Sequence, residues 1–154
     1  YKKNYLEGQA ILLIVGDGPE KDNLVELAQS RKDIVFKKSS LNPEIYYQVS
    51  DYFLMTSEHE TFGQTILESL ACGCILLAFK SSEQTNTATS EILGSEIKGY
   101  TCNWNNFTTL IKNHKSLHLS ENYNKIREEN SRKIISKYSW NLLSSNILKV
   151  LNNE

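Results

Sequence analysis

Short apolar runs alternate with amphipathic segments along the chain. Ile11-Leu12-Leu13-Ile14-Val15 is apolar at every position, which predicts a strand buried on both faces. It ends on Gly16-Asp17-Gly18-Pro19, a turn signal. Leu24, Leu27 and Ala28 recur at helical spacing and predict a helix to about Ser30. Ile34-Val35-Phe36 reads as a second strand. Asn42-Pro43-Glu44 supplies an N-cap, a first-turn proline and an acid at the positive end of a helix running to about Val49. Tyr52 to Met55 is a third strand, followed by a polar loop from Thr56 to Thr61. A helix then spans about Phe62 to Ala71 and stops at Gly73. Ile75 to Phe79 is a fourth strand, and Ser81 to Thr89 is polar without period, hence a loop. Ser90-Glu91-Ile92-Leu93 reads as a short helical turn and Tyr100 to Cys102 as a last short strand. From Trp104 onward the pattern is helical, with a break near Ser139-Trp140 and a solvated stretch over Lys112 to Asn124. Tyr1 to Leu6 reads as the tail of a helix.

Strand and helix alternating over short loops is the βαβ signature. It predicts an α/β fold: a Rossmann-like open parallel sheet with helices on both faces. No repeat and no Gly/Ser linker divides the chain, so residues 1–154 are expected to form one domain.

Composition narrows the function classes. The net charge of −1, from 17 basic and 18 acidic residues, gives no footprint for nucleic acid. No apolar run approaches the roughly 18 residues of a membrane span. Three cysteines, Cys72, Cys74 and Cys102, are an odd number and suit a reducing cytoplasm. Cys72-Gly73-Cys74 has no second Cys/His pair at zinc spacing, so no metal site is expected. Small buried thiols are the simpler reading.

Ligands of open parallel sheets bind at the carboxyl ends of the strands. Gly16-Asp17-Gly18-Pro19 stands at one such end. It lacks the third glycine of a dinucleotide fingerprint and the Gly-Lys-Ser/Thr of a P-loop. The second is Ser57-Glu58-His59-Glu60-Thr61-Phe62-Gly63-Gln64-Thr65-Ile66-Leu67-Glu68, running on to Ala71-Cys72-Gly73. Gly63 lets backbone approach a ligand, and the amides of Phe62 to Thr65 would be free donors at a helix N-terminus, suited to a diphosphate. Glu60 precedes the helix and Glu68 lies about one turn into it, so two carboxylates flank one anion site. The competing reading makes Glu60 a first-turn acid favoured by the helix dipole and Glu68 a solvated helix residue.

Glu60-x7-Glu68 with Phe62-Gly63 resembles the Glu-x7-Glu motif of the group 1 glycosyltransferases (family 4, retaining, GT-B fold). "LLIVGDGPEKDNL" (12–24), "IVFKKSS" (34–40), "YYQVSDYFLMTS" (46–57) and "KYSW" (137–140) extend the likeness from about Ala10 to Leu151. The resemblance implies the C-terminal, donor-binding half of a GT-B enzyme. It implies a hexosyltransferase that moves a hexose from a UDP- or GDP-type sugar to a glycan or lipid acceptor with retention. It implies surface-glycan or glycolipid synthesis, no cofactor and no catalytic metal. Glu60 would meet the hexose hydroxyls; the Phe62, Gly63 and Gln64 amides sugar and phosphate oxygens; Thr65 the diphosphate; and Glu68 the ribose. Gly16 and Gly18 would leave room beside the phosphates, and backbone around Ser39 would meet the base. The first strand, the acceptor domain and the Arg and Lys of the diphosphate clamp would lie before Tyr1. The residues present would then transfer no sugar alone. A cytoplasmic site, at the inner face of the membrane through peripheral association of the full-length protein, is compatible with that picture.

Two departures stand out. Where the family has Gly-Gly-x-Pro-Glu-Ile, this chain has Thr87-Ala88-Thr89-Ser90-Glu91-Ile92, and side chains at Thr87 and Ala88 would crowd the ligand. Lys38 stands where a glycine is common. They open an alternative: a non-catalytic GT-B-like subunit acting as a binding or interaction module. A GT-B epimerase or phosphorylase would need a different acid/base set or a pyridoxal lysine, and no specific signal marks either.

Overall fold

Short apolar runs form the longer strands, and every strand pairing among the described residues is parallel. The computed structural model describes residues 10–29, 31–82, 85–114 and 117–151. The helix tail read at Tyr1 to Leu6 and the helix end read at Ser30 lie outside these residues. The chain divides into two units at Pro43–Glu44. Each is described by itself.

In the first unit, β1 (Leu12–Val15) and β2 (Ile34–Lys37) pair in register Leu12↔Ile34 through Val15↔Lys37. Between them runs α1 (Lys21–Ala28), giving a βαβ unit. The ladder extends past the strand, with the Gly16 amide donating to the Lys37 carbonyl at 3.0 Å. α1 closes on Gln29, whose left-handed φ of 49° lets its amide reach Glu26 O. β1 is half-buried and not covered on both faces as its composition predicted. Among the described residues it pairs on one side only.

In the second unit, β3 (Tyr52–Met55), β5 (Ile75–Phe79) and β7 (Tyr100–Cys102) form a sheet ordered β3-β5-β7. The central strand β5 is buried along its whole length, as an apolar run flanked on both edges should be. Its alternating side chains enter two layers. Leu76 and Ala78 join Met55, Ile66, Leu70, Ile92 and Ile134 in one core. Ile75 packs with Tyr123 and Ile126, and Phe79 stacks on Trp104 and Phe107, on the other side. Helices α3 (Gln64–Ala71) and α4 (Thr89–Leu93) supply the first layer. The turn at Trp104–Asn106 and α5 (Phe107–His114) supply the second. The long α6 (Tyr123–Lys137) serves both, through Ile134 on one side and Ile126 on the other. A short α2 (Glu44–Gln48) precedes β3, and α7 (Trp140–Leu151) follows α6 after the expected break. Residues 141–149 of α7 are all exposed. No helix among the described residues is long and apolar enough to cross a membrane.

Two loops contain structure that sequence pattern did not reveal. His59–Glu60 (β4) and Asn86–Thr87 (β6) pair in parallel, His59↔Asn86 and Glu60↔Thr87. The Asn86 amide donates to Glu58 O at 2.8 Å and the Ala88 amide to Glu60 O at 3.0 Å. Two-residue strands carry no periodicity, so nothing in the polar runs could announce them.

Candidate functional site

The start of α3 is built around Gly63. Its φ of 72° is left-handed, a region that L side chains adopt at a cost of about 1–2 kcal/mol. A Cβ there would stand 2.8 Å from Ile92 Cδ1 and 3.2 Å from Ile66 Cδ1. The glycine thus serves both the backbone turn and the close approach of α4. Past this turn the backbone amides point along the helix axis, as at any helix N-terminus.

Four open amides were expected, from Phe62 to Thr65. The structure leaves two. Glu60 Oε1 accepts from the Gly63 amide at 3.0 Å and from the Phe62 amide at 3.3 Å. A carboxylate at the positive end of a helix gains from both the hydrogen bonds and the dipole. Glu60 therefore itself caps one side of the helix start. The Gln64 and Thr65 amides donate to no group among the described residues. Both residues are exposed, and so is the Phe62 ring, at 64%.

Glu68 lies one turn further along α3, half-buried and engaged by two side chains. Its Oε1 accepts from Gln64 Nε2 at 3.0 Å, and its Oε2 from the Tyr47 hydroxyl at 3.3 Å. Tyr47 comes from α2, its ring held edge-on against Phe53 at 5.7 Å. Burial, then the Glu68 charge, pushes the Tyr47 phenol up to about 12. It is therefore a proton donor throughout the neutral range. Sequence pattern singled out neither Tyr47 nor the Gln64 side chain as partners of Glu68. The four-residue spacing of Gln64 and Glu68 was a readable signal for the second.

The segment expected to crowd a ligand is turned inward. Ala88 joins the core with Ile66 and Ile92, and the Thr87 side chain is buried. Thr87 Oγ1 donates to Thr89 Oγ1 at 3.1 Å, and Ser81 Oγ donates to the Thr87 carbonyl at 2.9 Å. The Thr87 and Ala88 side chains are thus both buried within the protein.

The first unit carries the remaining predicted residues. Gly16 has a φ of 150°, and a Cβ built at Gly16 or Gly18 meets no atom within 4 Å. Gly18 also lacks a positive φ, so neither strain nor packing explains it. Ser39 is held by Asp17: its amide and hydroxyl both donate to Asp17 Oδ2, at 2.7 and 2.8 Å. Lys21 Nζ donates to Asp17 Oδ1 at 2.7 Å. These three donors, Lys21 first, hold the Asp17 carboxyl well below the usual carboxylate range. Sequence reading took Asp17 only as part of a turn. Its role in fixing the loop after β2 depends on a contact across 22 residues.

The cysteines are packing groups. The buried Cys74 thiol donates to Tyr47 O at 3.2 Å, and burial pushes it up to about 12. Cys72 and Cys102 are raised by burial too. No group of three or more His, Cys, Asp or Glu among the described residues could hold a metal ion. A groove of about 760 Å³ lies at the far end of α3, lined by Cys72, Gly73, Arg127 and Ser131, and contains none of the predicted site residues.

The family model for glycosyl transferases group 1 matches residues 1–134. The Escherichia coli O-antigen biosynthesis glycosyltransferase WclY is 31% identical over 137 residues, covering 86% of this chain and 38% of that protein. Alpha-monoglucosyldiacylglycerol synthase of Streptococcus pneumoniae is 33% identical over 94 residues, 58% of this chain and 21% of that protein. Among solved structures, Anabaena Alr3699/HepE in complex with UDP and glucose superposes with a TM-score of 0.73. It is 17% identical and is matched over 94% of this chain and 41% of its own. The likeness shows the fold, a Rossmann-like α/β half of GT-B architecture. The chain spans about a fifth to two fifths of the length of the relatives it matches.

Proposed function

Since the chain belongs to the group 1 glycosyl transferases, we propose that it is the single domain in which such an enzyme binds its nucleotide-sugar donor. One observation carries the reading: a helix start with two open amides, at Gln64 and Thr65, is flanked by two fixed carboxylates, Glu60 and Glu68. Amides and dipole suit a diphosphate, and the carboxylates suit hydroxyl-rich groups on either side. In this reading the Gln64 and Thr65 amides and the Thr65 hydroxyl hold the diphosphate. Glu68 takes the ribose hydroxyls. Glu60 takes hydroxyls of a transferred hexose, and the Phe62 and Gly63 amides then turn to sugar and phosphate oxygens. Within the first unit, taken by itself, Gly16 and Gly18 leave room for phosphate oxygens, and backbone at Ser39 meets a base.

The reaction is transfer of a hexose from a UDP- or GDP-type sugar to a glycan or lipid acceptor. We assign retention by same-face attack: the acceptor oxygen forms the new glycosidic bond as the bond to the diphosphate breaks. The acceptor's proton passes to the leaving phosphate. The amides stabilise charge that grows on the diphosphate, an electrostatic role that needs no protein nucleophile. Relatives named for O-antigen biosynthesis and as a monoglucosyldiacylglycerol synthase support a surface-glycan or glycolipid product.

Calorimetry of the full-length protein with UDP-glucose and GDP-mannose tests the donor site. Binding of one of them, weakened about tenfold or more by Glu68→Ala, is expected. No binding of either, with Glu68→Ala inert, refutes the assignment. Glu60→Ala is expected to abolish most transfer, and undiminished turnover would remove its sugar-contacting role.

A further inference from the structure

Glu68 is the one carboxylate of the motif whose two oxygens are each engaged by a different side chain. Gln64 Nε2 reaches Oε1 at 3.0 Å from the preceding turn of α3. The Tyr47 hydroxyl reaches Oε2 at 3.3 Å from another helix. A carboxylate offers about four lone-pair positions. One donor on each oxygen restrains rotation of the group and leaves each oxygen with further acceptor capacity. That arrangement suits two adjacent hydroxyls better than one. A carboxylate free to rotate about its last torsion would favour no such pair.

Tyr47 is well placed for the task. Its backbone is anchored twice over: α2 carries it, and its carbonyl accepts the Cys74 thiol at 3.2 Å. Its ring is braced by Phe53. The 3.3 Å separation is longer than the 2.7–2.8 Å usual for O–H···O, so the phenol adds a weak second restraint to the closer Gln64 contact. Replacing the hydroxyl by hydrogen leaves the ring's packing intact. We propose that Tyr47 is a positioning residue that, with the Gln64 side chain, orients Glu68 to read a cis-diol, making the site selective for ribose over deoxyribose nucleotides. This rests on the reading of Glu68 as the ribose-binding group.

The experiment measures Kd by calorimetry for UDP, GDP and their 2′-deoxy counterparts. It uses the full-length protein as wild type, Tyr47→Phe and Glu68→Ala. Wild type is expected to prefer the ribonucleotide, Glu68→Ala to lose that preference, and Tyr47→Phe to reduce it about tenfold. Equal weakening of both nucleotides in Tyr47→Phe, with the ratio unchanged, would mean that the tyrosine only supports the fold, and would overturn the proposal. Wild type binding ribo- and deoxyribonucleotide equally, with Glu68→Ala inert, would instead bring down the underlying assignment of Glu68. Gln64→Met provides a second variant if Tyr47→Phe is unstable. It removes the other hydrogen bond and is expected to lower the same ratio, and an unchanged ratio there counts equally against the proposal.

Discussion

Gly63, Asp17 and Cys74 each show one residue fixed by two constraints at once. Gly63→Ala combines a left-handed backbone with a methyl 2.8 Å from Ile92 Cδ1. The backbone alone costs about 1–2 kcal/mol, and the contact adds to it. A fall in melting temperature of several degrees is expected in a thermal scan. Gly18→Ala is the contrast. Its Cβ meets nothing, so stability should stay within about 0.5 kcal/mol of wild type, and on the proposed reading any effect should fall on diphosphate binding. Asp17 has a folded pKa below its unfolded value, so its contribution is complete above the usual 3.8 and fades as the pH falls toward the folded value. The Ser39 amide resonance, followed by NMR from pH 7 downward, should pass through about pH 4, where a free aspartate titrates, without shifting, and should move only at distinctly lower pH. With the Cys74 thiol pushed up to about 12, roughly one molecule in ten thousand carries its thiolate at pH 8. Iodoacetamide at pH 8 should leave Cys74 unlabelled in the native protein and label it in urea.

At the level of elements, α3 is held at both ends by different parts of the second unit. Glu60 satisfies amides at its start. At its other end Ser131 Oγ donates to Ala71 O, and Arg127 Nε to Gly73 O. Ala71 O is among the carbonyls that a helix leaves without intrahelical partners, and Gly73 follows the C-cap Cys72. Ser131→Ala should cost about 1 kcal/mol in urea denaturation, the ordinary worth of one such bond. Sequence pattern predicts short apolar runs well: Tyr52–Met55, Ile75–Phe79 and Tyr100–Cys102 match residue for residue. The motif residues Glu60, Gly63 and Glu68 were visible because their spacing is local. Tyr47, Asp17 and the β4–β6 pairing were not. Each depends on contacts across 20 residues or more, and two residues of strand leave no pattern to detect.

At the level of the whole molecule, the two units differ in how much core each can muster. Between Leu12 and Pro43 only Ala28 is buried among the described residues. A two-stranded sheet with one helix is marginal on its own, and chains of about 40 residues rarely fold without a staple. Residues 10–43 expressed alone should therefore give the circular-dichroism spectrum of an unfolded chain. The second unit holds both layers around β5 and should retain helix and sheet signals as residues 44–154. The 154-residue chain spans 38% of WclY. On the proposed reading it should bind a nucleoside diphosphate and yet transfer no sugar to an added acceptor. Measurable turnover by it alone would refute that division of labour.

The short ladder between β4 and β6 has a consequence for mutational tolerance. Glu60 sits opposite Thr87, and the amide of Ala88 hangs on the carbonyl of Glu60. The two segments thus share one backbone frame, although the paired residues stand 27 positions apart in the chain. Deep mutational scanning should find that substitutions at Ser81, Thr87 and Ala88 lower fitness chiefly through Glu60. Insertions or deletions in either segment should be tolerated only in compensating pairs. Selection on one loop is then selection on the other, and they should drift together.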